Sequence, residues 1–133
     1  MIEQGLMKLV QGDATVAALC PTGGGHFAQL PKDHPLPSWT YLWVSEQSDP
    51  TYDNQLGFRE ARVQIDCYAA TPAAAIGLAT AIAAVMDGYS GTFTDVDSTP
   101  VWGSFCNNKQ DFFDEAPRAY RRMLEYQLFY TAQ

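Results

Sequence analysis

The chain has few of the residues and motifs that carry enzyme chemistry. Its 133 residues include only two histidines and three cysteines. No GxSxG nucleophile turn, no GxGxxG loop, no HExxH pair and no CxxC pair occurs. The one glycine-rich run, residues 23–25, continues into His26 without the Lys-Ser/Thr that a phosphate loop needs. The sequence therefore predicts no catalytic residue, no metal ligand, no cofactor-binding residue and no cofactor.

A few pairs of polar residues come nearest to a metal-binding or catalytic site, but each pair is better explained as residues that are close in the sequence by chance. The two histidines are eight residues apart in loop sequence, which is not a metal-ligand spacing. A buried thiol is a weak nucleophile unless its pKa is lowered. A pair of catalytic carboxyl groups needs surroundings that give the two groups different pKa values, and exposed turns do not provide them. The pairs concerned are His26/His34, Cys20/His26, Asp95/Asp97 and Asp114/Glu115.

Charge is also scarce, and most of it is acidic. Charged residues make up 17% of the chain, whereas about 25% is usual, and the net charge is −7. Nucleic-acid-binding proteins usually carry a basic patch, so this composition argues against tight DNA binding, although an acidic surface near DNA keeps it from sticking. Apolar residues make up 47% and aromatic residues 13%. This composition indicates either apolar surface that another chain covers or a well-filled monomer.

Targeting signals and membrane segments are not expected from the sequence. The start, MIEQGLMKLV, has neither the basic segment nor the long apolar run of a signal peptide. The longest apolar stretch is Ala-rich and too short to span a bilayer. The odd cysteine count predicts buried, reduced thiols. We expect a protein made in the cytoplasm, with no membrane partner.

Residues 59–69, REARVQIDCYA, are the clearest structural signal. Apolar residues alternate with polar ones, which predicts a strand with one buried face. Thr71 and Pro72 then have the types preferred at a helix N-cap and first turn, and Gly88 is typical of a helix end. We therefore predict a strand followed by an Ala-rich helix over 72–87.

The remaining elements complete one domain over residues 1–133. Helices are predicted at 2–11 and 14–19, the second capped by Asp13, and turn-rich links at 47–58 and 107–117. Strands are predicted at 26–30, 39–46, 101–106 and 119–130. Strands interrupted by one long helix favour an α+β fold. We expect an antiparallel or mixed sheet of about four to five strands with two or three helices on one face.

Several strings along the chain are similar to one family. They are MIEQGLMKLVQGDATVAAL, PSWTYLWVSE, ARVQIDCYA followed by TPAAAIGLATAIAAVMDGYSG, and YRRMLEYQLFY. In these strings the chain resembles the small phage tail-completion proteins, which include the tail terminators of long-tailed siphophages. The resemblance covers nearly the whole chain and carries no catalytic residue.

The resemblance implies a structural virion protein rather than an enzyme. Such a protein forms a homo-oligomeric ring, commonly a hexamer, that caps the head-proximal end of the tail tube, ends tube polymerisation and offers a docking surface to the head or neck. The implied partners are other copies of the chain, the tail tube protein and a head-completion or neck protein. DNA passes through the lumen without specific binding. The implied location is the virion tail, after assembly in the host cytoplasm.

Three groups of residues are candidates for assembly contacts. Strand aromatics are candidates for a covered interface, C-terminal arginines for ion pairs with a neighbouring subunit, and the 47–58 link for an arm that contacts the tube or a neighbour. Core aromatics, surface charges and a solvated loop are the respective alternatives. The candidates are Trp39, Tyr41, Trp43 and Tyr68; Arg118, Arg121 and Arg122; and Asp49, Tyr52, Asp53 and Asn54.

Other functions remain open at this point. Another head–tail connector or neck protein fits the same pattern. A small-molecule or peptide-binding α+β domain is a further alternative, and it requires a concave pocket with converging polar groups.

Overall fold

The computed structural model describes residues 2–20, 25–27, 37–48, 58–93, 99–115 and 118–131. Within these ranges, three helices and six strands form an α+β fold, as predicted. The elements in chain order are α1 (Ile2–Gln11), α2 (Ala14–Leu19), β1 (Gly25–Phe27), β2 (Ser38–Ser48), β3 (Phe58–Ala69), α3 (Pro72–Met86), β4 (Gly91–Thr92), β5 (Pro100–Glu115) and β6 (Arg118–Thr131).

The strands form one mixed sheet in the order β1-β2-β3-β6-β5-β4. The long strands β2, β3, β6 and β5 pair antiparallel, and the short β1 pairs parallel with β2 at one end. At the other end, the two-residue β4 pairs with the start of β5. The predicted sheet of four to five strands thus corresponds to four long strands with a short strand beside each outer one.

Strand β3 shows the alternation that its sequence predicts. Val63, Ile65 and Cys67 are completely buried, whereas Arg62, directly before Val63, is exposed and Gln64 is half-buried. In the register with β6, Val63 lies opposite Tyr126 and Ile65 opposite Leu124, so these side chains share one face of the sheet. Helix α3 packs on β3 and β6 at this face, which makes it the core face.

Helix α3 begins and ends where its capping residues predict. Thr71 Oγ1 accepts a hydrogen bond from the Ala74 N–H at 3.2 Å, and Pro72 occupies the first turn. Gly88, two residues beyond the last helical residue, has φ +69°, a left-handed conformation that glycine adopts without steric cost. The buried side of α3 includes Ala75 and Ala79, whose small side chains allow the helix to lie close to the sheet.

Helices α1 and α2 pack against α3 and complete the core. Asp13 caps α2, because its Oδ2 accepts hydrogen bonds from the Thr15 and Val16 N–H groups at 3.1 and 3.2 Å. Gly5 of α1 lies against Phe93, where an added Cβ would come within 2.6 Å of the Phe93 Cβ. The helix approaches this ring because residue 5 has no side chain.

Strand β5 is longer than its sequence indicates. A strand over 101–106 and a link over 107–117 were predicted, but β5 continues to Glu115, which lies opposite Arg118 of β6. The polar run Asn107–Asp111 lacks a buried face of its own, so no alternation marks it. Backbone pairing with β6 forms this half of the strand, after a register shift between Cys106 and Asn108.

Candidate assembly surface

The two faces of the sheet differ in what covers them. Helix α3 packs on the core face, and α1 and α2 pack on α3, so all three described helices lie on that side. The opposite face, here called the open face, carries the alternate residues of β3 and β6. They include Arg62, Gln64, Asp66 and Tyr68 of β3 with Arg121, Met123, Glu125, Gln127 and Phe129 of β6.

The predicted interface aromatics of β2 lie mostly in the core. Trp39 is fully buried and Tyr41 is 7% exposed. The Trp39 Nε1 donates a hydrogen bond to Gln11 Oε1 at 2.9 Å, which ties β2 to α1. These rings face the helices because Trp39 and Tyr41 lie opposite Cys67 and Ile65, on the core face. Both are therefore core aromatics, which corrects their assignment to a surface that a second chain covers.

The other two predicted aromatics are partly accessible. Trp43 is half-buried on the core face and packs edge-on against Tyr130, with ring centroids 6.5 Å apart. The Trp43 Nε1 is buried and has no hydrogen-bond partner among the described residues. Tyr68 is half-buried on the open face, opposite Arg121. Of the four candidates, Trp43 and Tyr68 alone keep surface that another chain can cover.

The predicted intersubunit arginines are paired within their own chain where their side chains are described. Arg122 binds the Asp111 carboxylate with two hydrogen bonds, from Nε at 2.7 Å and from Nη2 at 2.9 Å. This contact lowers the pKa of Asp111. Arg121 Nη1 lies 3.4 Å from Asp66 Oδ1, and its guanidinium lies 4.4 Å from the centre of the Phe112 ring. Neither arginine needs an acid from a neighbouring subunit, and the Arg118 side chain lies outside the described part.

The predicted arm also lies outside the described residues. Asp49, Tyr52, Asp53 and Asn54 all fall within residues 49–57. The strands on either side of that segment are paired, with Ser48 of β2 opposite Arg59 of β3. The two ends of the segment therefore lie side by side at one end of the β2–β3 hairpin.

Exposed apolar side chains are concentrated on the two outermost long strands. Strand β5 carries four of them, and the most exposed are Trp102 at 62% and Phe105 at 55%. Strand β2 carries two more, Leu42 and Val44. The large exposed apolar residues in the described part of the chain are Leu19, Leu42, Val44, Ile76, Trp102, Phe105, Phe112, Phe113 and Tyr120. Exposed apolar residues grouped in this way are more typical of an interaction surface than of a sheet edge that remains in solvent.

Local contacts fix the aromatic side chains of β5 in place. The Trp102 Nε1 donates a hydrogen bond to Thr131 Oγ1 at 2.7 Å. Phe105 packs edge-on against Phe129, with ring centroids 6.0 Å apart, and Phe113 lies 4.9 Å from Tyr120. These rings are ordered on the surface, so a partner that covers them loses little side-chain entropy.

The sequence-based reasoning missed Phe112 and Phe113 because it placed residues 107–117 in a link, and it predicted the strand over 101–106 without naming Trp102 or Phe105 as interface residues. The signal for a strand is the short connection before β6. Only residues 116–117, Ala-Pro, separate two segments that contain strand-forming aromatic residues, and a connection this short can join antiparallel strands but not parallel ones. The alternation test failed here because both faces of this part of β5 are exposed.

The backbone of the same two strands is unpaired along much of its outer side. Strand β4 pairs with Pro100 and Val101 of β5, and the Ser104 carbonyl accepts the Gly88 N–H at 2.8 Å. From Phe105 to Glu115, no described residue pairs with the outer edge. On β2, strand β1 pairs only with residues 39–41, and the described residues leave 42–48 without an outer partner. Open edges of this kind are templates for another strand.

The described residues contain little that resembles an active site. They hold no group of three or more His, Cys, Asp and Glu side chains that could bind a metal ion. Burial raises the pKa of Cys20 to about 11 and that of Cys67 well above its usual value, so both thiols are poor nucleophiles at neutral pH. None of the described helices is both long and apolar enough to span a bilayer.

Among the described residues, a groove of about 410 Å³ lies between α1, α3 and β4. The charged side chains along it are Lys8 of α1 and Asp13, the N-cap of α2. Such a groove does not gather the converging polar groups that a small-molecule site needs.

Comparison with known proteins gives one family. The family model described as "Tail completion protein gp17" matches residues 4–131. Among solved structures, a chain from the virion of a native gene transfer agent particle has the same fold, with a TM-score of 0.72 and 17% sequence identity. The similarity covers 98% of this chain and 94% of that one. No curated protein matches the sequence significantly.

Proposed function

Because this chain belongs to the tail completion protein gp17 family, and is a structural protein of a phage tail, we propose that it closes into a ring. The ring caps the head-proximal end of the tail tube, ends tube polymerisation and presents a docking surface to a head-completion or neck protein. A hexamer is the proposed symmetry. The ring is assembled in the host cytoplasm and becomes part of the virion tail.

The observation that carries this proposal is the exposed apolar surface at both ends of one sheet. Leu42 and Val44 lie on β2, and Trp102, Phe105 and the Phe112–Phe113 pair lie on β5, with β3 and β6 between them. Two different patches on opposite sides of a subunit favour a head-to-tail contact over a two-fold dimer. Repeated by rotation, a head-to-tail contact closes into a ring.

Ring closure accounts for the end of tube growth. A ring bound to the last layer of the tube covers the surface on which the next layer would assemble. The ring consists of this chain and not of tail tube protein, so its far face does not offer the contact on which a further tube layer would assemble. Growth therefore stops, and the free face is left for the neck. The segment containing Asp49, Tyr52, Asp53 and Asn54 is proposed to contact the tube or the neighbouring subunit from the end of the β2–β3 hairpin.

The geometry of the layers supports an open face that lines the bore. In a closed ring, each sheet has its helices on one side only. The helix layer needs more room than the sheet layer, and the outer side of the ring provides the larger circumference. The arginines of the open face are already paired: Arg121 with Asp66, and Arg62 Nε with Glu125 Oε1 at 3.5 Å. Paired guanidinium groups bind phosphate less strongly, so DNA slides past without being held.

A tube-assembly experiment tests the proposal. Purified tail tube protein is polymerised with and without this chain, and tube lengths and ends are recorded by electron microscopy. We expect shorter tubes with a ring at one end and growth at the other end only. Equal growth at both ends, with the chain present and folded, would overturn the proposal. Rings that bind head connectors and ignore tube ends would favour the connector or neck alternative.

A further inference from the structure

We infer that neighbouring copies are joined by backbone pairing, with the outer edge of β5 in one copy hydrogen-bonded to the outer edge of β2 in the next. This inference rests on the proposed ring and specifies its joint. It makes the sheet continuous from one subunit to the next.

The open backbone of both edges is the first support. Residues 105–115 of β5 and 42–48 of β2 have no outer strand partner among the described residues. A strand edge exposes a row of N–H and C=O groups that pair with any suitable strand, and proteins with long open edges usually blunt them. On β2 the open segment carries no proline, and Glu46 is its one charged residue.

The side chains of the two edges are the second support. Val44 is 49% exposed on β2, and Phe105 and Phe113 are 55% and 45% exposed on β5. When two strands pair, side chains on the same face lie about 4.5–5.5 Å apart between Cβ atoms, so the apolar groups of one edge cover those of the other. An edge designed to remain solvated does not place its largest aromatic residues there.

Opposite charges on the two edges are the third support. Lys109 of β5 lies opposite Leu124, and Glu46 of β2 lies opposite Ala61, which places both on the core face of the sheet. Both side chains are exposed, and neither has an ion-pair partner among the described residues. Across a β5–β2 joint these two charges come to the same face and attract each other.

Disulfide trapping tests the joint directly. In a Cys106→Ser background, Gln110→Cys on β5 is combined in turn with Val44→Cys, Ser45→Cys and Glu46→Cys on β2. Gln110 and the three β2 positions are exposed, and Cys106→Ser is a change of one atom at a half-buried position, so the fold is retained. After mild oxidation of assembled rings, we expect at least one combination to give a ladder of covalent oligomers that ends at the ring number. Each single-cysteine variant gives none.

The matched control replaces the β2 cysteine with Ala84→Cys, an exposed position on α3. Rings in the electron microscope with cross-linking no stronger than this control would overturn the inferred joint and leave the proposed ring intact. Covalent dimers from Gln110→Cys alone would overturn it in favour of a two-fold β5–β5 contact. The absence of rings and of tube capping in every variant and in the unmodified chain would overturn the proposed function itself.

A charge exchange gives an independent reading of the same joint. Lys109→Glu alone and Glu46→Lys alone are each expected to weaken the joint, by about two- to fivefold in its dissociation constant, as for an exposed ion pair. The double variant restores the opposite charges and is expected to recover most of the loss. Two single losses that simply add in the double variant would contradict the placement of these residues across one joint.

Discussion

Removal of the Phe105 ring should weaken ring assembly strongly and affect the isolated subunit little. A phenylalanine side chain presents about 150–250 Å² of surface, and 55% of Phe105 is exposed in the single chain. About 80–140 Å² is thus available for a neighbour to cover. At about 25 cal/mol per Å², complete coverage contributes about 2–3.5 kcal/mol to each joint. Phe105→Ala is therefore expected to raise the dissociation constant of a joint by about 30- to 300-fold.

Within the subunit the same substitution removes the edge-on contact with Phe129, which is worth about 0.5–1.5 kcal/mol, and the packing of the ring over Gly103. The assay measures the chain concentration at which half of the tube ends carry a ring, together with the thermal unfolding of the unassembled chain. Leu19→Ala on α2 is the matched control, because Leu19 is also an exposed apolar residue but lies on a helix away from both sheet edges.

The two readouts separate assembly from folding. We expect a large shift in the capping concentration for Phe105→Ala, a small shift for Leu19→Ala and a modest change in unfolding temperature for both. Capping by Phe105→Ala at the unmodified concentration would refute the role given to the β5 edge. A loss of capping that only follows a loss of folded protein would also count against it.

Three further predictions concern the subunit itself. Trp39→Ala should lower the free energy of unfolding by about 3–5 kcal/mol, measured by denaturant titration, because the indole is in the core; a small loss would contradict that placement. The pKa of Asp111 is lowered by Arg122, so its contribution to stability is present above an unfolded pKa of about 4 and is lost as pH falls through the lower folded value. The unfolding temperatures of the unmodified chain and Asp111→Asn should therefore differ at pH 7 and converge near pH 2, and a constant difference would contradict the pairing. Cys20, with a pKa of about 11, should react with iodoacetamide at pH 8 much more slowly than the half-buried Cys106, and equal rates by mass spectrometry would contradict its burial.

Local signals in the sequence were sufficient for β3 and α3. Alternation marks β3 because one of its faces is buried and the other is open. Thr71 and Gly88 mark the ends of α3 because capping depends on only a few neighbouring residues. For these two elements the local preferences and the final fold agree.

Other features depend on contacts that are distant in sequence. The period of two showed that Trp39 and Tyr41 share a face of β2, but it could not show which face the helices cover. That choice is made by α1 and α3, and it places both rings in the core. The second half of β5 is likewise formed by pairing with β6, and no local pattern of apolar residues reveals it.

The sequence indicated that the chain could have an apolar assembly surface, but it did not identify the residues of that surface. An excess of apolar residues over charged ones left two interpretations open, a surface for another chain or a well-filled monomer, and the structure places exposed apolar residues on β2 and β5. The particular residues could not be identified, because Phe105, Phe112 and Phe113 are exposed only once β5 is the outermost long strand. The strand order that puts it there results from the whole sheet.

Electron cryo-microscopy of the intact tail at its head-proximal end gives the most direct test of the closed, sheet-joined ring. The account predicts a single closed layer of this chain between the last tube layer and the neck, with density that continues from β5 of each subunit into β2 of the next. Copies found elsewhere in the virion, or copies at that position whose sheet edges are separated, would contradict it.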